Sequence, residues 1–338
     1  MIAYYAHSHG FGHSNSGQEF CREFPLNSFI ITSSNYVFDS NVEVLKICDE
    51  NTKPIQYNKT TYNLPRYAHY LPKSKSKILF RNFQILESCI SEDVKLALID
   101  VSVETAIQFR IAGIPYAYHK MLGLRADLAH HIAYEASEFL FAFYPREMEV
   151  DNSNLIIEKT HYLGFISRFK FRLDRNLDRV TLENSLKILI ITGRGGTKLT
   201  SEIITKICLQ SENHQFTVIG NQEDIIAKNA VQLQFSHDIE SIIADHDIVI
   251  SSCGLNLTSE ILSLKNKFIA FAENRPYNEQ NIILDGLVDN NLAVRLNYDN
   301  FEQTLIAFFN LKGNVNLKLM FGTMSKFNNI EIFKQYLK

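Results

Sequence analysis

The hydrophobic residues of this chain fall into short apolar runs that alternate with stretches of helical periodicity. The first half has five such runs, at 2–6, 28–32, 96–100, 114–119 and 139–143. They are short and do not alternate strictly with polar residues, which is typical of strands covered on both faces. Between them, the stretch 103–113 places apolar residues three or four apart and ends on Gly113, a residue that suits a helix C-terminus. This rhythm predicts a parallel sheet wound with helices.

The second half repeats the rhythm. Its apolar runs lie at 186–192, 215–220, 231–235, 247–251 and 267–271, and its helical stretches lie at 199–210, 239–246 and 257–265. We therefore predict an α/β protein with two doubly wound Rossmann-like domains that face each other across a cleft. The predicted boundaries are an N-terminal domain over 1–165, a charged and weakly periodic linker over 166–185, a C-terminal domain over 186–325, and a helix over 326–338 that packs back on the N-terminal domain.

Composition narrows the class of protein. A length of 338 residues exceeds what one hydrophobic core usually covers, and 46% hydrophobic residues are enough for real cores. A net charge of −3 argues against a nucleic-acid partner. The five cysteines are scattered and form no CxxC pair, which predicts a reducing compartment and no structural metal. Because the sequence shows neither a signal peptide nor an apolar run long enough to span a bilayer, we expect a cytoplasmic protein.

The opening loop, "AHSHGFGH", carries three histidines and two glycines directly after the first predicted strand. His7 and His9 have the spacing of a zinc pair, but no nearby carboxylate completes a ligand set. A second interpretation is that the histidines only bond backbone groups of a polar loop. The third, which we favour, is a general base, because an imidazole titrates near neutral pH. His13 is the preferred candidate, since it lies at the expected N-terminus of the next helix.

A glycine-rich turn, "ITGRGGT", begins the second half. Gly193, Gly195 and Gly196 leave backbone N–H groups free to bind an anion at a helix start, and Arg194 is suited to pair with phosphate oxygens. The stretch lacks the Walker lysine pattern and a full GxGxxG. The pattern favours a phosphate-binding loop and an ordinary tight turn equally.

The stretch "SSCGLNLTSE" ends another predicted strand. Gly254 follows that strand, and three side chains could cap the helix that starts there: Asn256, Thr258 and Ser259. Glu260 would lie in the first turn, where it could accept hydrogen bonds from two vicinal hydroxyls of a ribose or simply favour the helix dipole. Farther on, Glu279 and Gln280 place a carboxylate beside an amide, a pair that suits sugar hydroxyls or a polar helix start.

Together these motifs resemble the nucleotide-sugar glycosyltransferases of the GT-B fold, in the branch that holds the lipid II-forming N-acetylglucosaminyltransferase and the UDP-glycosyltransferases. "CGLNLTSE" with the later "EQ" is similar to the donor box of that family, "HGFGH" to the loop that carries its catalytic base, "GRGGT" to its diphosphate loop, and 99–127 to its acceptor-domain core. The chain departs from the pattern at Ser252, where the plant-type box has histidine, and at Ser16, where a related branch has arginine.

The resemblance implies a metal-independent, inverting glycosyltransferase that needs no cofactor. It implies His13 as the base with Asp100 as its partner, and His9, Gly10 and Gly12 on the acceptor side. The donor would be a nucleotide sugar, most simply a UDP-sugar, bound by the C-terminal domain. The donor-binding residues would be Gly193, Arg194, Gly195, Gly196, Thr197, Phe235, His237, Ser252, Gly254, Asn256, Thr258, Glu260, Glu279 and Gln280.

Two other functions stay open at this point. One is a nucleotide-sugar hydrolase or 2-epimerase on the same fold, and the other is a non-catalytic sugar-nucleotide-binding protein in which His13 is dispensable. The acceptor would be a carbohydrate, a lipid-linked molecule or a small molecule. A basic segment is compatible with peripheral docking on the inner face of a membrane, and equally with a solvated loop; its cations are Arg66, Lys73, Lys75, Lys77 and Arg81.

Overall fold

The computed structural model describes residues 1–8, 10–49, 64–70, 76–172, 185–192, 197–220, 223–234, 238–321 and 330–337. Seven parallel strands form the first sheet, in the order β3-β2-β1-β4-β5-β6-β7. They are β1 (Ile2–Ala6), β2 (Ser28–Thr32), β3 (Val44–Lys46), β4 (Leu96–Asp100), β5 (Tyr116–His119), β6 (Phe139–Ala142) and β7 (Thr160–Tyr162).

Six parallel strands form the second sheet, in the order β10-β9-β8-β11-β12-β13. They are β8 (Lys187–Ile191), β9 (Gln215–Ile219), β10 (Ala230–Leu233), β11 (Ile248–Ser252), β12 (Phe268–Phe271) and β13 (Ala293–Arg295). The predicted architecture of two α/β domains is confirmed.

Helices connect the strands of both sheets. They are α1 (Gly12–Glu23), α2 (Ser76–Ser91), α3 (Val103–Ile111), α4 (Leu128–Ala136), α5 (Asn154–Lys159), α6 (Ser201–Leu209), α7 (Ile239–Asp245), α8 (Leu255–Leu264), α9 (Glu279–Asp289), α10 (Phe301–Asn310), α11 (Leu317–Met320) and α12 (Ile330–Lys334). Among the residues that the structure describes, none of these helices is both long enough and apolar enough to cross a bilayer.

The apolar runs located the central strands well and missed the short ones. The runs at 2–6, 28–32 and 96–100 match β1, β2 and β4 residue for residue, because these strands are buried on both faces. The prediction contained neither β3, β7 nor β13, each of which has three residues. Three residues are too few to show either the two-residue repeat of a strand or the 3.6-residue repeat of a helix.

The strand order places a crevice at the same point in each sheet. β1 lies between β2 and β4, and β8 lies between β9 and β11, so the direction of winding reverses beside β1 and beside β8. Ligands of doubly wound sheets bind at this reversal, outside the carboxyl ends of the strands. Asp100 ends β4 and Ser252 ends β11, so both lie at these crevices.

The first part of the predicted linker is packed against the second domain. The Ser167 hydroxyl donates to Ser263 Oγ at 3.2 Å, and the Arg172 amide donates to the Ser263 carbonyl at 2.8 Å. The described part of this segment therefore docks on the second domain, while 173–184 lie outside the described residues.

The last described helix packs on the first domain. Phe333 of α12 is fully buried, and its ring centroid lies 5.2 Å from Phe20, 6.0 Å from Phe24 and 5.7 Å from Phe139. The end of the chain thus contributes to the core that carries β1 and α1.

Replacing Phe333 by alanine should therefore destabilise the first domain. Deleting a buried phenylalanine ring typically costs about 3–5 kcal/mol of unfolding free energy. Urea unfolding of the Phe333→Ala variant measures this loss. Phe83→Ala is the matched control, because this ring is 55% exposed on α2 and its removal should change stability by no more than about 0.5 kcal/mol. Equal losses in the two variants would contradict the observed packing.

Candidate active site

A cavity of about 340 Å³ lies between the two domains. The first domain contributes His13 and His119 to its wall, and the second contributes Asn256 and Glu279. Gly12 and Gly254 also line it, each directly before or at the start of a helix. The structure thus brings together predicted residues of both domains around one space.

Asp100 is the centre of a hydrogen-bonded group beneath this cavity. Its side chain is fully buried at the end of β4. Asp100 Oδ1 lies 3.0 Å from His13 Nδ1 and 2.6 Å from His119 Nδ1, and the Tyr4 hydroxyl donates to Oδ2 at 3.0 Å. The predicted partners His13 and Asp100 are therefore in direct contact.

This contact changes the protonation of both groups. Burial alone would raise the pKa of Asp100, but the two imidazoles and their hydrogen bonds hold that pKa far below its usual range. Burial lowers the pKa of His13, yet the charge and hydrogen bond of Asp100 outweigh it and raise the pKa above its usual value. Because Nδ1 of His13 faces the carboxylate, Nε2 is the nitrogen left for a substrate.

His119 is a site residue that the sequence alone did not single out. It is 6% exposed, and its ring stacks on Phe141 with 5.2 Å between centroids. Its Nε2 is buried and has no hydrogen-bond partner among the described residues. Buried polar atoms are nearly always paired, so this nitrogen is suited to a bound molecule. The sequence could have indicated His119 by its position, because it ends β5, the strand that lies beside β4.

Asn256 joins the two domains. Asn15 Nδ2 of α1 donates to Asn256 Oδ1 at 3.0 Å, and the Ser16 hydroxyl approaches the same oxygen at 3.5 Å. A Cβ atom on Gly12 would lie 2.8 Å from Asn256 Nδ2, closer than real Cβ contacts allow. Glycine at position 12 therefore lets the first turn of α1 approach α8.

Glu279 makes a second link between the domains. Its Oε2 lies 3.0 Å from Nη2 of Arg125, a buried residue of the loop after β5. The Arg125 guanidinium also lies over the ring of Tyr277, 4.5 Å from its centroid. The sequence predicted Glu279 but not its arginine partner, which lies 154 residues away along the chain.

The prediction for Glu260 and for the cap of α8 was partly wrong. The helix begins at Leu255 with Gly254 as the N-cap and no side-chain cap, so none of the proposed side chains performs that function. Glu260 therefore lies in the second turn, not in the first. Its Oε1 accepts from Arg168 Nε at 2.7 Å, and burial raises its pKa although Arg168 opposes this.

Several other predicted donor residues do not line the cavity. Thr197 Oγ1 accepts from the Leu199 amide, and Gln280 Oε1 accepts from the Glu273 amide. Ser252 is buried at the end of β11, and Thr258 is buried with no hydrogen-bond partner for its hydroxyl within the described ranges. The candidates that lie outside the described residues are His9, Gly193, Arg194, Gly195, Gly196, Phe235 and His237.

Two further predicted residues have structural roles. Gly10 is exposed with a φ of +80°, so it shapes the opening turn through its left-handed backbone. Arg81 is buried, donates to the Cys48 carbonyl at 2.9 Å and bonds the Tyr5 hydroxyl. Arg81 is therefore not a surface cation, contrary to its place in the predicted basic segment. Lys73 and Lys75 lie outside the described residues.

Comparison with known proteins adds relatives of low identity. The chain is 23% identical over 292 residues to the UDP-N-acetylglucosamine--N-acetylmuramyl-(pentapeptide) pyrophosphoryl-undecaprenol N-acetylglucosamine transferase of Prochlorococcus marinus strain AS9601, covering 80% of this chain and 78% of that protein. No family model matches.

Solved structures decide the fold. Acinetobacter baumannii MurG superposes with a TM-score of 0.59 at 14% identity, covering 96% of this chain and 93% of that one. The spinosyn rhamnosyltransferase SpnG superposes with a TM-score of 0.62 at 9% identity, covering 98% and 99%. The chain has the GT-B fold. The resemblance to GT-B glycosyltransferases predicted from the sequence is confirmed, and the relatives support glycosyl transfer as the general activity.

In this GT-B chain, Gly12→Ala should disturb the contact between the domains. The added Cβ would clash with Asn256 Nδ2, so the Asn256 side chain must shift and its hydrogen bond from Asn15 should weaken. Faster amide hydrogen exchange at both helix starts is the expected result. Adding Asn256→Ala should relieve the clash, so the double variant should exchange more slowly at α1 than Gly12→Ala alone. If the effects of the two substitutions on the exchange rates simply add, the contact between Gly12 and Asn256 does not determine how α1 packs against α8.

Proposed function

We propose that this protein is an inverting glycosyltransferase that moves a sugar from a nucleotide sugar, most simply UDP-linked, to an acceptor hydroxyl. The observation that carries the proposal is the His13–Asp100 pair, which faces a cavity lined by both domains of a GT-B fold. The relatives support it, since their names specify sugar transfer from UDP-N-acetylglucosamine.

The geometry suits His13 as the general base. Its Nε2 would remove the proton of the acceptor hydroxyl as that oxygen attacks the anomeric carbon. The bond between this carbon and the nucleotide diphosphate breaks on the opposite face, so the configuration inverts. Asp100 would hold Nδ1 and stabilise the imidazolium that forms, in the way a buried carboxylate orients a catalytic histidine.

His119 would act as a positioning residue. Its short contact at 2.6 Å fixes Asp100 Oδ1, the oxygen that also contacts His13. Its unpartnered Nε2 would bond a hydroxyl of a bound sugar and so satisfy the buried atom.

The donor diphosphate would lie at the start of α8. This helix has no side-chain cap, so its first backbone N–H groups are suited to an anion. Arg275 also lines the cavity. We propose that these groups stabilise the leaving diphosphate without a metal ion or a cofactor. Glu260 would accept hydrogen bonds from the ribose hydroxyls, and its present ion pair with Arg168 would break when the donor binds.

The acceptor is proposed to be lipid-linked, and the protein to work at the inner face of a membrane. The exposed apolar side chains of α2 in the first domain support this, namely Leu79, Phe80 and Phe83. The named relatives act on an undecaprenol-linked molecule. A small-molecule acceptor is the competing identity.

Removing the base should separate binding from chemistry. His13→Ala should lower turnover by about 10²–10⁴-fold, the usual contribution of a general base, while UDP binding changes little. Calorimetry with UDP, dTDP and GDP, with and without EDTA, measures binding, and acceptor-dependent release of UDP measures turnover. His131→Ala, an exposed histidine on α4, is the control.

Three outcomes would contradict the proposed activity. Turnover near wild type in His13→Ala would remove the base from the mechanism. Tight nucleotide binding without any turnover would favour a non-catalytic binding protein. Release of UDP and free sugar without an acceptor would favour a hydrolase.

The pH dependence follows from the contact with Asp100. The base must be neutral, and the carboxylate raises the pKa of His13 above about 6.5, so kcat/KM should fall as the pH drops through a midpoint above that value. In Asp100→Asn, the charge of Asp100 is lost, the charges of Glu279 and Arg125 act in opposite directions, and burial, the largest single influence, lowers the pKa of His13. The acid limb should therefore move to lower pH, and the plateau rate should fall. A midpoint unchanged between the two proteins would show that another group limits the rate.

A further inference from the structure

A second group of histidines lies outside the cavity, on the first domain. The group consists of two histidines, His69 and His130, and the carboxylate of Asp127 between them. His69 Nε2 lies 3.0 Å from Asp127 Oδ1, and His130 Nδ1 lies 2.6 Å from Asp127 Oδ2. One ligand atom from each residue lies within 4.8 Å of the others. None of the three lines the cavity or takes part in the proposed transfer.

Hydrogen bonds to the backbone hold this group in place without an ion. Glu104 Oε1, in the first turn of α3, accepts from the amides of His69 and Tyr70 at 2.6 and 2.8 Å. Asp127 is the N-cap of α4 and accepts from the His130 amide at 3.1 Å. Two helix starts therefore fix the three residues, and little conformational freedom remains to be lost on binding.

We propose that His69, Asp127 and His130 form a site for a divalent ion of the zinc class. Two imidazole nitrogens and one carboxylate oxygen are a ligand set that zinc prefers, whereas magnesium and calcium prefer oxygen alone. Zinc bonds of about 2.0–2.2 Å place tetrahedral ligands about 3.3 Å apart. The three ligand atoms lie within 4.8 Å of one another, so the side chains would close around the ion, and a water molecule would complete the tetrahedral set.

The site reaches the domain interface through ring contacts. The His130 ring meets the ring of Tyr277, from the second domain, with 5.3 Å between centroids. Tyr277 lies under Arg125, whose partner Glu279 lines the cavity. An ion here would fasten the segment 64–70 to α4 and stabilise this wall of the interface. The site is independent of the proposed glycosyl transfer, which needs no ion at this position.

Calorimetric titration of the chelator-treated full chain with Zn²⁺ alone tests the site. We expect one ion per chain, a rise of Tm with zinc, and at least about tenfold weaker binding in His69→Ala and His130→Ala. Asp127→Asn should also weaken binding, because the amide keeps the helix cap but is a poorer zinc ligand. His69 is 42% exposed, so His69→Ala tests the proposal without threatening the fold.

His131→Ala is the matched control, since His131 is a neighbouring histidine on α4 that is 62% exposed. Binding unchanged in this variant and lost in His69→Ala would support the site. The proposal is overturned if no stoichiometric binding occurs, or if binding survives His69→Ala and His130→Ala. Loss of binding in His7→Ala instead would assign the ion to the opening loop and equally overturn it.

Discussion

The buried carboxylate of Asp100 is the group on which the arrangement of the active site depends. An unpaired carboxylate with no exposure to solvent would cost several kcal/mol, on the order of the desolvation penalty of a buried ion. Here Tyr4, His13 and His119 share that charge, and they come from β1, α1 and β5. These elements meet only because β1 and β5 flank β4 in the sheet. The compensation of one charge thus fixes the orientation of the proposed base.

The second constraint is the contact between the domains. Asn256 bonds α1, and Glu279 bonds Arg125 of the first domain. Glu260 has an arginine partner too, Arg168, from the segment that connects the domains. Residues that resemble a donor box are thereby held by other parts of the same chain. Because the Arg168 side chain is 37% exposed, its ion pair is weakened by solvent and could be exchanged at low cost.

The departures from the family pattern acquire a physical meaning in this setting. Ser16 stands where a related branch has arginine, and its hydroxyl faces Asn256 across the domain contact. The uncapped start of α8 offers a different source of positive potential, from backbone N–H groups alone. In the proposed donor site, these backbone groups would act together with Arg275, which lines the cavity.

The sequence by itself determined the α/β class and the central strands. It also placed Asp100 at the end of a strand and His13, Asn256 and Glu279 near the starts of helices. It could do so because burial on both faces imposes apolar runs, and because tight turns and helix starts have residue preferences that are local. Only the tertiary structure decided the partners: His119 beside Asp100, Arg125 beside Glu279 and Arg168 beside Glu260. Only the structure shows that Arg81 is buried and that His69 contacts Asp127 at the start of α4. These contacts join residues that are far apart in the chain. Local sequence patterns carry no information about which distant charges will pair.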